Sequence, residues 1–341
     1  MKRDEVVGLA HGAGGLAMRR LIEEVFLPGL TDTAVDGVGL DALDDGAAVR
    51  LGDRWLVITT DAHVIQPIVF PGGDIGRLAV AGTVNDLAMM GATDAPLLTL
   101  SVVLEEGFPR ASLERLQASL REACREAGAT IVSGDTKVMG RGELDGIVIH
   151  TSGVGLAERV VRDSTLEPGD ALIVTGCVGD HGLAVLAARG ALELEGELRS
   201  DVAPVNGLIR SALTAGGEDL VAMKDPTRGG LASTLHEMAS KSGVGVVLDE
   251  RSVPVRPAVR AAAELLGIDP LHVANEGKAV LGVRANAVGK VLDALRRHPL
   301  GADAALIGSC SRERPGSVIL ETGFGRRLLQ EPEGEPLPRI C

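Results

Sequence analysis

Aromatic residues are nearly absent from this chain: Trp55, four phenylalanines and no tyrosine in 341 residues. Proteins that hold single-stranded nucleic acid stack its bases on such rings, so this composition argues against that class. Basic charge is also in deficit, with 34 Lys and Arg against 47 Asp and Glu and a net charge of −13. A general nucleic-acid binder needs a basic face, and this balance does not supply one. It leaves room for an anionic small ligand, since metal ions bridge carboxylates to phosphates. The four cysteines, Cys124, Cys177, Cys310 and Cys341, stand far apart with no C-x-x-C pair. Neither a zinc knuckle nor a disulfide framework is suggested. No apolar run approaches 18 residues and no signal-peptide pattern opens the chain, so a cytoplasmic protein is expected. No G-x-x-x-x-G-K-[ST] occurs, which removes the P-loop.

What the chain does have is aliphatic material and glycine. Hydrophobic residues make up 45%, so a sizeable core of Leu, Val, Ile and Ala is affordable, and 45 glycines imply many turns or close approaches. Helical spacing recurs over 16–27, 75–90 and 111–127, with strands at 55–60, 97–104, 129–133 and 146–151. The second half repeats the alternation, with strands at 171–175, 220–223, 244–248, 280–283, 305–307 and 318–320. Its helices follow His181 and span 230–241, 257–266 and 287–297. This predicts two α+β domains with a hinge near Glu167-Pro168-Gly169-Asp170. The expected divisions are a Gly-rich loop and helix over 1–40, domains over 41–157 and 168–325, and a tail over 326–341. That tail carries Pro332, Pro336 and Pro338 without periodicity, and reads as an extended, mobile arm. About ten such residues at roughly 3.1 Å each reach on the order of 30 Å.

Several segments point to chemistry. Gly12-Ala13-Gly14-Gly15-Leu16-Ala17 fits G-x-G-x-x-A and opens a helix, but no strand precedes it; it reads as an anion-holding loop or as a plain turn. Asp45, Asp61, Asp135 and Asp225 border apolar segments, and Asp86 lies inside an apolar helix. Buried carboxylates must be paired, hydrogen-bonded or metal-bound. Singly, each reads as a cap or an ion pair; converging, they would make an oxygen-rich site for Mg²⁺ and nucleotide phosphates. Asp225-Pro226-Thr227-Arg228-Gly229-Gly230 leads into a helix, where free N–H groups and Arg228 would suit phosphate; a simple helix start is the alternative. Gly134-Asp135-Thr136-Lys137 and Ala274-Asn275-Glu276-Gly277-Lys278 read as Gly-punctuated loops, either solvated turns or sources of a general base. The last residue, Cys341, is either an accidental terminus or a thiol that carries a covalent group to a site.

Taken together, HGAGG at 11–15, PGGDIGRLAVAGTVNDLAMMGA at 71–92, SGDTKV at 133–138, GDHG at 179–182, DPTRGG at 225–230, ANEGK at 274–278, HPLG at 298–301 and the terminal PRIC at 338–341 resemble the HypE family of hydrogenase maturation factors. That family belongs with aminoimidazole ribonucleotide synthetase, selenophosphate synthetase and thiamine monophosphate kinase. The match covers nearly the whole chain. One departure is Ala81, where the family's pattern has Cys.

The resemblance implies an α+β fold: an N-terminal ferredoxin-like half-barrel sheet that dimerises into a β-barrel, and a C-terminal α/β sandwich. It implies ATP with Mg²⁺ between the domains, and ATP-dependent dehydration of an S-carbamoyl group on Cys341 to a thiocyanate, which supplies cyanide to the iron of [NiFe]-hydrogenase. Asp45, Asp61, Asp86, Asp135 and Asp225 match the metal and phosphate positions. Asn85, Gly134, Thr136, Thr227 and Arg228 fall with the nucleotide contacts, Gly134 and Thr136 from either subunit. Lys137 and Glu276 match the positions for proton transfer. The implied partners are a second copy, the carbamoyl donor HypF and the HypC–HypD complex as cyanide acceptor. A soluble-substrate kinase or synthetase of the superfamily would not need the tail, and a non-catalytic scaffold would not need ATP.

Overall fold

The computed structural model describes residues 6–31, 35–190, 198–332 and 339–341. Two sheets organise it. The first has six strands in the order Gly37–Val38, Ala47–Leu51, Arg54–His63, Ile147–Ala157, Asp94–Glu105 and Thr130–Met139. All neighbours are antiparallel except the last two, which are joined by the helix Arg110–Ala127 as a parallel pair requires. The helix Ile75–Met89 starts where the Asp74 carboxylate accepts the N–H groups of Gly76 and Arg77. Its apolar surface is buried nearly all round, because one side lies on the sheet and the end at Ala88 and Met89 enters the second domain's core. Gly82 permits the close approach: a Cβ there would stand 2.9 Å from the His63 ring and 3.2 Å from Asp61 Oδ2. The sheet is open, not closed into a barrel, and Ile58, Leu97, Val132, Val138 and Leu156 on its strands are exposed.

The second sheet runs Leu220–Lys224, Val280–Val283, Ala171–Val174, Ala305–Ser311, Gly245–Asp249, Val318–Thr322 and Gly325–Leu328. Ala171–Val174 and Val280–Val283 are buried at every residue, as uniformly apolar strands covered on both faces should be. Leu231, Leu235 and Met238 of the helix Gly230–Ser242 pack in one core cluster. Leu208, Ile209 and Ala212 of the helix Asn206–Gly216 share a separate cluster with Val291 and Leu295 of the helix Val288–Arg296. The expected α+β class with two domains is what forms.

Several local expectations need correction. Residues 134–137 are not a loop but the middle of the strand Thr130–Met139, where parallel pairing with Leu100–Val103 overrides the weak strand preference of Gly, Asp and Lys. The helix expected over 16–27 is α-helical only at Gly15–Leu21 and continues in wider π-type turns to Phe26. The helix Asn206–Gly216 and the edge strand Gly325–Leu328 form as well, beyond the elements that the sequence pattern predicts. Residues 333–338 of the tail lie outside the described residues, but its start belongs to the strand Gly325–Leu328 and its last three residues are docked rather than free.

Candidate active site

Each domain contributes carboxylates to one inter-domain cleft. The first supplies Asp45, just before the strand Ala47–Leu51, Asp61 near the end of Arg54–His63, and Asp86 on the helix Ile75–Met89. The second supplies Asp225 at the end of Leu220–Lys224 and Glu276 on the 274–278 loop, which is buried throughout and so is no solvated turn. The Thr59 hydroxyl lies 2.9 Å from Asp86 Oδ2 and 3.0 Å from the Asp45 carbonyl, tying two of these segments together. Lys224 Nζ crosses from the second domain to Asp45 Oδ1 at 2.5 Å, with Asp163 and Glu237 each at 3.5 Å.

Charge in this cleft is unbalanced. Burial, followed by repulsion from Asp225, Asp61 and Asp45, pushes the Asp86 carboxyl well above its ordinary range. Burial and the neighbouring Asp45 and Asp61 do the same to Asp225. Glu276 rises for the same two reasons, burial first and then Asp225, Asp61 and Asp201. Asp61 goes the other way: burial raises it, but His63, Arg228 and the N–H of Ala62 outweigh that and hold it low. Lys224 is held charged, because Asp45, Glu237 and Asp163 outweigh its burial. The buried oxygens Asp45 Oδ2, Asp225 Oδ2 and Glu276 Oε1 have no hydrogen-bond partner.

Two loops frame the cleft. Gly14 has φ of +76° and a Cβ there would sit 2.7 Å from the Arg228 Cβ, so the HGAGG turn lies directly on the DPTRGG loop. Arg228 Nη1 donates to the Gly12 carbonyl at 3.3 Å. The negative charge of Cys341 raises Arg228 most, with Asp61, Glu276 and Asp86 adding to it. Asn275 fixes the opposite wall: its Oδ1 accepts from Gly179 N at 2.8 Å and its Nδ2 donates to the Pro226 carbonyl at 2.9 Å.

The end of the chain enters here. Ile340 bridges Ile65 in antiparallel fashion, Val64 N donates to the Cys341 carbonyl at 3.1 Å, and Gln66 N donates to the Arg339 carbonyl at 3.2 Å. His181 Nε2 lies 2.6 Å from the Ile340 carbonyl, and Arg189 Nη2 donates to the Arg339 carbonyl at 2.6 Å. Cys341 is half-buried, while Cys124, Cys177 and Cys310 are buried.

Of the residues singled out from the sequence, Asp45, Asp61, Asp86, Asp225, Glu276, Arg228 and Cys341 come together. Thr227 lies on the same half-buried loop as Arg228. Asn85 is spent elsewhere: its amide donates to the carbonyls of Ala203 and Glu276 and accepts from Val205 N, which clamps the two domains. Gly134, Asp135, Thr136 and Lys137 do not join the cluster within one chain. They are exposed on the edge strand, where Lys137 pairs with Asp135 at 2.7 Å. Beside them runs an open groove of about 550 Å³ lined by Leu100, Val102 and residues 131–136. Lys224, His63, Asn275 and His181 were not picked out as site residues. A lysine closing a buried strand and the GDHG motif around His181 were the available signals.

Comparison with known proteins gives this geometry a context. Residues 43–157 match the N-terminal domain of AIR synthase related proteins, and residues 167–321 match the C-terminal domain. The carbamoyl dehydratase HypE of Rhizobium leguminosarum bv. viciae is 47% identical, over 98% of this chain and 95% of that protein. The Escherichia coli K12 carbamoyl dehydratase HypE is 44% identical, over 98% and 99%. This chain belongs to the HypE family. A HypE–HypF complex superposes with a TM-score of 0.85 at 42% identity, covering 92% of this chain and 99% of that one. A HypE structure in complex with ATP gives 0.81 at 41%, covering 98% and 100%. A thiamine monophosphate kinase complexed with AMPPCP and TMP shares the fold, at a TM-score of 0.67 and 18% identity. Among the described residues of this HypE-family chain, no helix is long and apolar enough to cross a membrane, and no three His, Cys, Asp or Glu are arranged to enclose a bare ion.

Proposed function

We propose that this chain is an ATP-dependent carbamoyl dehydratase acting on its own terminal cysteine, converting S-carbamoyl Cys341 to a thiocyanate that provides the cyanide ligand of [NiFe]-hydrogenase iron. The observation that carries the reading is the docking of Cys341 beside Arg228, at a buried cleft with an excess of carboxylate oxygens. Mg²⁺ fits that cleft: unpartnered buried oxygens on Asp45 and Asp225 are hard donors, and Mg²⁺ is held by a few carboxylates together with substrate phosphates. The ligands would be Asp45, Asp61, Asp86 and Asp225. Magnesium–ATP, when bound, supplies the phosphoryl group that turns the amide oxygen into a leaving phosphate.

The chain's own residues do the rest. Arg228 and the loop holding Thr227 would face the anionic groups. Glu276, buried at 3% exposure with a free Oε1, has the raised proton affinity suited to exchanging protons with the carbamoyl N–H groups. Burial of Ile340 and pairing of the tail with 64–66 hold the half-buried thiol at the cleft. Lys137, Asp135, Gly134 and Thr136 belong to the same reading if a second copy seats on the open sheet and offers its edge strand to this cleft. The exposed Ile58, Leu97 and Val132 support that dimer. By analogy with the HypE–HypF complex, a HypF protein would load the carbamoyl group, and a HypC–HypD pair would take the cyanide.

The test is intact-mass analysis. The chain carbamoylated at Cys341 should lose the mass of one water on adding ATP and Mg²⁺, and should not do so when Glu276 is replaced by Gln. A phosphorylated soluble product with Cys341 unchanged would favour a small-molecule kinase instead.

A further inference from the structure

The tail's seat is built from both domains and reads the chain end in a particular way. Val64 N, Gln66 N and Arg189 Nη2 all donate to tail carbonyls. The Ile340 carbonyl is met by His181, which is fully buried and stands edge-on to Phe70 at a centroid distance of 5.4 Å. Burial lowers the proton affinity of His181, so the ring is neutral. A carbonyl only accepts, so the proton belongs on Nε2, and Nδ1 accepts from the Ser200 hydroxyl at 2.8 Å. The side chains are treated unequally. Ile340 is 2% exposed in the apolar cluster with Ile65, Phe70 and Val185, whereas Arg339 reaches outward to Asp145 at 2.6 Å. Backbone pairing plus one apolar anchor is how a strand-addition groove recognises an extended peptide. Nothing in these contacts requires a covalent connection to residue 332.

We propose that Val64–Gln66, His181 and Arg189 form a peptide-binding site for a carboxyl-terminal segment with an apolar penultimate residue, one that accepts such an end from another chain as well as from its own, with His181 as the positioning residue. The site adjoins the nucleotide cleft, but its readout needs neither ATP nor a carbamoyl donor. Failure here therefore leaves the dehydratase reading standing, and the reverse also holds.

The experiment follows alkylation of Cys341 in the intact wild-type chain, since the other three cysteines are buried. Millimolar acetyl-Pro-Arg-Ile-Ser, which has no thiol, should displace the tail and speed alkylation, while acetyl-Pro-Arg-Asp-Ser should not. His181→Ala should speed it roughly fivefold without peptide, the loss of one net hydrogen bond. His181→Gln, which keeps a donor, should restore the slow rate. Should His181→Ala fail to fold, Arg189→Ala offers the same readout from a half-buried side chain. No acceleration by the Ile peptide, equal acceleration by the Asp peptide, or unchanged rates in the variants would overturn the proposal.

Discussion

Carboxylates without enough cations are the dominant feature at the level of single residues. Asp86, Asp225 and Glu276 are all raised by burial and by neighbouring carboxylates, against the pull of Lys224 and Arg228 on Asp225, of Arg228 on Glu276 and of the Thr59 hydroxyl on Asp86. Asp86→Asn should keep the Thr59 contact yet weaken Mg²⁺–ATP binding on the order of tenfold or more, measured by calorimetry. Unchanged affinity would remove Asp86 from the ligand set. Asp180 offers a separate check, away from that site. Burial, with Asp201 adding, raises its carboxyl from 3.8 to about 6, although Arg256 donates to it at 3.1 Å. A carboxyl raised on folding binds more protons in the native state, so its stabilising contribution is present below about pH 4 and is lost as pH rises through about 6. Asp180→Asn should therefore match wild-type unfolding stability near pH 4 and exceed it near pH 7.5, by on the order of 2 kcal/mol. A gap that does not grow with pH would contradict the assignment. Asp45, Asp61, Asp86 and Asp225 were legible in the sequence because each stands where an apolar segment makes a charge costly. Lys224 and His181 were not, because their meaning lies in partners far away in the chain: Asp45 for one and Ile340 for the other.

Among the elements, the outcome depended on whether an element's own pattern decided its state. The helix Arg110–Ala127 announced itself through its apolar spacing and ends at Gly128, with φ of +66°. The strand Thr130–Met139 could not, since Gly134-Asp135-Thr136-Lys137 becomes strand only by pairing with a neighbour contributed from elsewhere. The tail's own composition predicts a free arm for the same reason. Proline and polar composition describe its middle, while its final three residues are fixed by contacts to both domains. Replacing Ile340 with Asp should expel that end. Losing the burial of one large aliphatic side chain should cost about 1.5–3 kcal/mol and lower the melting midpoint accordingly. A midpoint equal to wild type would mean that the tail's docking adds nothing to the fold.

For the whole molecule, two features stand out: a cleft made by two domains and an open sheet with apolar residues exposed. Lys224 to Asp45 and Asn85 to Ala203 and Val205 hold the domains together. The open face and the groove along the edge strand suit a second copy. On the proposed dimer, Val132→Lys on that strand should shift the chain toward monomer in analytical ultracentrifugation and, by withdrawing Lys137 from the neighbouring cleft, abolish turnover while leaving Cys341 docked. A monomeric wild-type chain that is fully active would contradict this arrangement. The central claim is that the terminal thiol is the carrier on which dehydration takes place. Its most direct test is the mass of the Cys341 peptide from the carbamoylated chain, before and after ATP and Mg²⁺. The account predicts the loss of one water on that residue; a carbamoyl adduct that keeps its mass while ATP is consumed would contradict it.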